Sequence, residues 1–176
     1  MRRNSIARLG DVQDQTILLA GIGTGLDIPL LPAGADYVGM DLTAAMLQRA
    51  RLRGQQRNDI LLHRGDVMGL PYADQQFDIV LMHLILAVVP RPERALQEAM
   101  RVVKPGGRIL ILDKFLRHGQ WAPLRRTMSL ILKHVATRTD VVLESLLEQC
   151  PGLQLIQVTP LRPGNWFHEI ELRKSA

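Results

Sequence analysis

The sequence predicts an α/β fold: a mostly parallel sheet with helices on both faces, closed by a C-terminal antiparallel hairpin. Three observations point there. Short apolar runs alternate with helical patterns through the first two thirds of the chain. The spacing between successive runs suits right-handed crossovers, which make neighbouring strands parallel. The last two strand-like runs are separated only by "PLRPG", too short a link for a parallel crossover.

The elements follow in order. "TILLA" (16–20) reads as the first strand and runs into a glycine-rich turn. "DYVGMD" (36–41) is the second strand. "TAAMLQRARLR" (43–53) is a helix, with Thr43 as its N-cap and Met46, Leu47, Ala50 and Leu52 on an apolar stripe. "DILLHRGD" (59–66) and "FDIVLMHL" (77–84) are strands. "RPERALQEAMRVV" (91–103) is a helix with Pro92 in its first turn, closed by "KPGG" before the strand "GRILILD" (107–113). "GQWAPLRRTMSLILKHV" (119–135) and "DVVLESLLEQC" (140–150) read as helices, and "LQLIQVT" (153–159) and "NWFHEIELR" (165–173) as the closing pair of strands.

At 176 residues the chain reads as one domain, 1–176, with a shortened segment before the first strand. "RRNSIARL" in that segment has Ile6 and Leu9 spaced to pack as a short helix. No run reaches the roughly 18 apolar residues of a membrane span, and no apolar stretch follows the basic start, so a cytoplasmic protein is expected. Cys150 is the single cysteine, which excludes a disulfide framework and a zinc cluster. It reads as a small apolar filler near a helix end. No cluster of histidines and carboxylates suggests a metal site. The net charge of +5 suits anionic partners, but the few aromatics give no stacking platform, and nucleic acid is not an expected partner.

The chemistry concentrates at three strand ends. In "AGIGTGLD", Gly21, Gly23 and Gly25 allow a sharp turn and a close approach of ligand to backbone. A dinucleotide fingerprint needs a glycine three places after the second, and Leu26 stands there. Asp41 ends the second strand, where a carboxylate can accept both hydroxyls of a ribose. Asp66 ends the third strand, where a carboxylate beside a backbone amide can read an adenine edge. Each acid alone is as well explained as a solvated strand end. The three features together lie along one carboxyl edge of the sheet.

"AGIGTGLDIPLLP", "GMDLTAAMLQRAR" and "GDVMGLPYADQQFDIVLMHLILAVVPRPERALQEAMRVVKPGGRILILDKF" resemble the consecutive motifs of class I S-adenosylmethionine-dependent methyltransferases. The resemblance runs from about Thr16 to Phe115 and implies a Rossmann-like methyltransferase fold. Within that family the chain is most similar to the small-molecule and lipid-modifying branch, which includes phosphatidylethanolamine N-methyltransferases and quinone methyltransferases. The cofactor implied is S-adenosyl-L-methionine. By position, Gly21, Gly23 and Gly25 are implied to bound its methionine part, Asp41 its ribose, and Leu42 and Met46 the faces of its adenine. Asp66 and the amide of Val67 are implied at the adenine edge, and His83 beside the methionine part and the substrate entrance. His83 is also the candidate for substrate contact, against the plainer account of a half-buried hydrogen-bonding histidine. Asp113, Lys114 and His118 follow the fifth strand and could reach the mouth.

One position departs from the family pattern. An acid that helps hold the cofactor's ammonium usually stands two places before the first glycine, and here it is Leu19. Leucine cannot accept a hydrogen bond. Asp27 is a candidate substitute, or a cap, and a glutamate placed at 19 is expected to tighten cofactor binding. Two readings of function remain: methyl transfer to a small molecule or lipid headgroup, and a non-catalytic cofactor-binding module or degenerate methyltransferase needing a partner. The segment between Asp113 and Asp140 is basic and carries an apolar stripe at helical spacing. It reads either as a helix with a solvated basic face or as a cover that docks on anionic lipid. The methyl acceptor and the oligomeric state are not legible.

Overall fold

The computed structural model describes residues 1–114, 143–161 and 167–176. In chain order the elements are α1 (Arg2–Ala7), β1 (Thr16–Ala20), a 3-10 turn (Ile28–Leu30), β2 (Asp36–Asp41), α2 (Ala44–Arg53) and β3 (Ile60–Arg64). They continue with β4 (Phe77–His83), α3 (Pro92–Val102), β5 (Val103–Lys114), α4 (Leu143–Glu148), β6 (Leu153–Leu161) and β7 (Phe167–Lys174). The seven-stranded sheet has the order β3-β2-β1-β4-β5-β7-β6. Strands β1 to β5 pair in parallel, and β7 pairs antiparallel with both β5 and β6. The expected mostly parallel sheet with its closing hairpin is therefore present.

Strand β1 explains why both faces are covered. From Ile17 to Ala20 its side chains alternate between two apolar clusters, and all four are buried. Leu18 and Ala20 join Val80, Met82, Ile109, Leu96 and Ala99 on the α3 face. Ile17 and Leu19 join Ile79, Leu81, Leu47 and Ala50 on the α2 face, where Ile6 and Leu9 of the N-terminal segment also pack. Ile6 and Leu9 are almost fully buried, as their spacing suggests. Cys150 packs in the α3-side cluster, and burial pushes its thiol pKa up to about 11.

Three local differences from the sequence reading have physical causes. The apolar stripe expected on α2 is narrower than its spacing suggests: Leu47 and Ala50 are buried, but Leu52 is exposed. Thr43 precedes α2, but its side chain makes no capping bond; its backbone N–H goes to Asp41 instead. "KPGG" does more than close α3. Phe77 pairs with Val103 and Ile79 with Arg108, so the four residues form a bulge carried within β5. A Cβ on Gly107 would meet the carbonyl oxygen of Asp78 at 2.7 Å, which explains the glycine there. The expected helix 119–135 and His118 lie outside the described residues, as do the start of the expected helix 140–150 and the link between β6 and β7.

Candidate active site

In an open parallel sheet, ligands bind beyond the carboxyl ends of the strands where the strand order reverses. Here that point lies between β1 and β4, which flank each other while β2 lies on the far side of β1. A cavity of about 490 Å³ opens there. That is within the ~300–1,000 Å³ usual for small-molecule sites.

The glycine turn forms its floor. The N–H groups of Gly21 and Ile22 both bond the Met40 carbonyl at 2.9 Å, which ties the turn to the end of β2. Gly21 has φ +78°, and a Cβ there would run into the Ile85 side chain at 2.7 Å. Gly23 has φ +58° with nothing within 4 Å of an added Cβ, because it faces the open cavity. Gly25 behaves differently. It does not line the cavity; an added Cβ would meet the Ala50 Cα at 2.8 Å, so this glycine lets the turn approach α2.

Asp41 and Asp66 both line the cavity and both organise the backbone beside it. Asp41 accepts the N–H of Gly23 through Oδ2 and that of Thr43 through Oδ1, each at 2.9 Å. Asp66 accepts the N–H of Met68 at 2.9 Å. Each carboxylate oxygen has further lone pairs for a ligand. Leu42, Met46 and Val67 line the same end. Leu42 is 60% exposed and Met46 37%, so these apolar side chains border the cavity rather than fill the core.

The loop following Asp66 is held from α3. Buried Glu98 accepts the N–H of Leu70 at 2.8 Å. Arg101 donates to the carbonyls of Leu70 and Tyr72 and to Asp74. The Arg101 hydrogen bond, with smaller help from Leu70 and Arg94, outweighs burial and holds the Glu98 carboxyl below its usual range.

At the other end, His83 lines the cavity and lies in a chain of buried polar groups. Its Nδ1 is 3.1 Å from Asp27 Oδ2, and its Nε2 is 3.0 Å from Ser5 Oγ. A carboxylate only accepts, so Nδ1 carries a proton toward Asp27. Arg2 donates to the same Asp27 oxygen at 2.6 Å and itself lines the cavity. Burial pushes the Asp27 pKa up, but the bonds and charges of His83 and Arg2 outweigh it and hold the carboxyl below its ordinary value.

The wall after β4 is apolar, with Ile85, Val88 and Val89. Leu84 there has φ +60°, an unusual conformation for leucine, and its N–H bonds the Leu112 carbonyl at 2.7 Å. Asp113 holds the same loop by accepting the N–H of Ala87 at 3.2 Å. Burial raises its pKa against the opposing backbone N–H groups. Neither Asp113 nor Lys114 lines the cavity; the Lys114 ammonium sits 5.1 Å over the Phe167 ring.

The structure thus brings Gly21, Gly23, Asp41, Leu42, Met46, Asp66, Val67 and His83 to one cavity. Arg2 and Ser5 were missed in the sequence, because nothing in "RRNS" signals a partner on β4 or beyond the glycine turn. Among the described residues no group of His, Cys, Asp and Glu could hold a metal ion, and no helix is long and apolar enough to cross a membrane.

The family pattern described as a methyltransferase domain matches residues 18–111. The chain is 29% identical over 170 residues to a phosphatidylethanolamine N-methyltransferase of Cereibacter sphaeroides, covering 94% of this chain and 83% of that protein. It is 36% identical over 125 residues to a demethylmenaquinone methyltransferase of Renibacterium salmoninarum, covering 70% of this chain and 51% of the relative. The chain therefore spans about half the length of that quinone-modifying relative. The crystal structure of the YcgJ protein from Bacillus subtilis superposes with a TM-score of 0.80 at 16% identity, over 98% of this chain and 99% of the other, a likeness of fold. The chain belongs to the methyltransferase-domain family, among the S-adenosylmethionine-dependent methyltransferases.

Proposed function

We propose that the protein transfers the S-adenosylmethionine methyl group to the amine of a lipid headgroup. The observation that carries this reading is the similarity to a phosphatidylethanolamine N-methyltransferase along 94% of the chain. The apolar wall of Ile85, Val88 and Val89 beside the cavity supports it, since an acceptor with acyl chains needs an apolar approach.

The cavity residues fit the cofactor. Two carboxylates with spare lone pairs stand at the ends of β2 and β3, and exposed apolar side chains flank the space between them. In this reading Asp41 accepts from the ribose hydroxyls, Leu42 and Met46 cover the adenine faces, and Asp66 with the Val67 amide reads the adenine edge. Gly21 and Gly23 let the methionine part lie on the backbone, and His83 stands beside it. Gly25 keeps a supporting place against α2. The cofactor supplies a methyl group already activated on a sulfonium, so the protein's work is to align the acceptor and exclude water. The wall formed by Ile85, Val88 and Val89 does the excluding, and no metal is needed for such a step.

A second reading, methylation of a quinol ring carbon, is favoured by the 36% identity to the demethylmenaquinone enzyme. Incubation with methyl-labelled S-adenosylmethionine separates the two, using phosphatidylethanolamine vesicles and, in parallel, demethylmenaquinol. Label in N-methylated lipid supports the proposal. Label in the quinol moves the assignment to the second reading, and label in neither rejects both acceptors.

Docking on anionic lipid through the basic stretch 117–138, which lies outside the described residues, belongs to the same proposal. Sedimentation with anionic vesicles should then exceed that with neutral ones and fall with salt. Equal recovery removes the membrane contact.

A further inference from the structure

We propose that Arg2 is the residue that recognises the α-carboxylate of the cofactor's amino-acid end, and that Asp27 is its positioning residue. This rests on the methyltransferase reading of the same cavity and adds a charged partner that the glycine turn and strand ends do not provide.

Arg2 borders the cavity and shares the Asp27 Oδ2 partner with His83, which also lines it. Its guanidinium is anchored, because Nη1 bonds Asp27 Oδ2 at 2.6 Å and the Asp27 side chain is only 4% exposed. Among the described residues, Asp27 is the one hydrogen-bond partner of that guanidinium, which carries five N–H groups. One bond to Asp27 therefore leaves donors for a second anion. The Arg2 side chain is 27% exposed, so it is accessible from the cavity while its position is fixed.

Charge favours the same assignment. The amino-acid end of S-adenosylmethionine carries both a carboxylate and an ammonium. Among the described residues that line the cavity, Arg2 is the one lysine or arginine, so it is the permanent cation there. Guanidinium and carboxylate planes match for paired hydrogen bonds. Asp27 also holds His83 through the same oxygen, and Ser5 ties the ring back to α1. Arg2 is thus held by a helix that is itself fastened to β4. Because Arg2 is pinned in advance, little side-chain freedom is lost when the ligand arrives.

The test compares three ligands by calorimetry: S-adenosylhomocysteine, its decarboxylated form, which keeps the amine, and 5′-methylthioadenosine, which lacks the whole amino-acid end. In the wild-type protein, loss of the carboxylate should weaken binding by about tenfold to a hundredfold. Arg2→Gln should weaken S-adenosylhomocysteine by a similar factor and leave the decarboxylated ligand and 5′-methylthioadenosine within about twofold. Arg2→Lys should recover part of the loss. Equal affinity of the wild type for the carboxylated and decarboxylated ligands would overturn the proposal without requiring any variant to fold. So would an Arg2→Gln variant that weakens all three alike. Failure of the wild type to bind any of the three instead rejects the reading of the cavity as a cofactor site.

Discussion

The Asp41 carboxylate accepts the backbone N–H of Gly23, eighteen residues earlier, at 2.9 Å, while its other oxygen accepts the N–H of Thr43. One side chain thereby fixes the glycine turn to the end of β2 and to the start of α2. A group read from sequence as a ligand acceptor is also the strut that shapes the cavity.

Removing that strut has two consequences. Asp41→Ala loses the acceptors for the ligand and leaves two backbone donors without their partner. Binding of S-adenosylhomocysteine is expected to weaken by about 1.5–3 kcal/mol, or roughly tenfold to a hundredfold, by calorimetry. Asp41→Asn keeps one acceptor but turns an NH₂ toward the other backbone N–H, so its affinity should lie no higher than midway. Wild-type affinity in Asp41→Ala would remove this residue from the binding site.

The position of Leu19 reverses an expectation drawn from family pattern. From the motif alone, a glutamate there should face the ammonium and tighten binding. In the structure Leu19 is 2% exposed and packs in the apolar cluster with Ile6, Leu9 and Leu81; it does not line the cavity. Leu19→Glu buries a carboxylate with no partner, at a cost of about 3 kcal/mol or more. Urea unfolding should show a markedly lower midpoint, and the folded fraction should bind S-adenosylhomocysteine no more tightly than wild type. A stable variant with improved affinity would restore the motif-based view.

That contrast shows what the sequence could and could not convey. Strands such as "TILLA" were legible because a strand buried on both faces is a continuous apolar run, and the acids at 41 and 66 stood out by ending such runs. The hairpin was legible because its link is short. The Ser5, His83, Asp27 and Arg2 chain was not, because its members are 78, 56 and 25 residues apart along its three bonds and no local periodicity relates them. Gly25 was grouped with Gly21 and Gly23 because spacing is identical for all three, whereas only the packing of α2 separates a glycine needed for helix approach from one facing the cavity.

Acid should weaken the Asp27 anchor in a defined window. Asp27 has a folded-state pKa below its ordinary value of 3.8, so it binds its proton less readily folded than unfolded. Its contribution is therefore full above about pH 4 and is lost as pH falls through the depressed folded value. Asp27→Asn removes the charge at every pH and should cost about 1.5–3 kcal/mol near neutrality. The gap in urea stability between wild type and Asp27→Asn should then narrow between pH 5 and about 2. A gap of constant size across that range would show that the charge of Asp27 is not what stabilises the cluster.

Two glycine substitutions should separate turn shape from cavity access. Gly25→Ala faces both a φ of +76° and a collision with the Ala50 Cα at 2.8 Å, a backbone atom that moves only if α2 moves. Gly23→Ala faces a φ of +58° but open space. Left-handed backbone alone costs an L-residue roughly 1–2 kcal/mol, and overpacking adds about 1–3 kcal/mol. Gly25→Ala should therefore lose the more stability in urea. Gly23→Ala should lose less, yet its methyl group enters the cavity directly and should weaken S-adenosylhomocysteine more per unit of stability lost. The ratio of binding loss to stability loss, measured for both variants under one set of conditions, is the readout. A larger ratio in Gly25→Ala would mean that the ligand lies on the α2 side of the turn, not over Gly23.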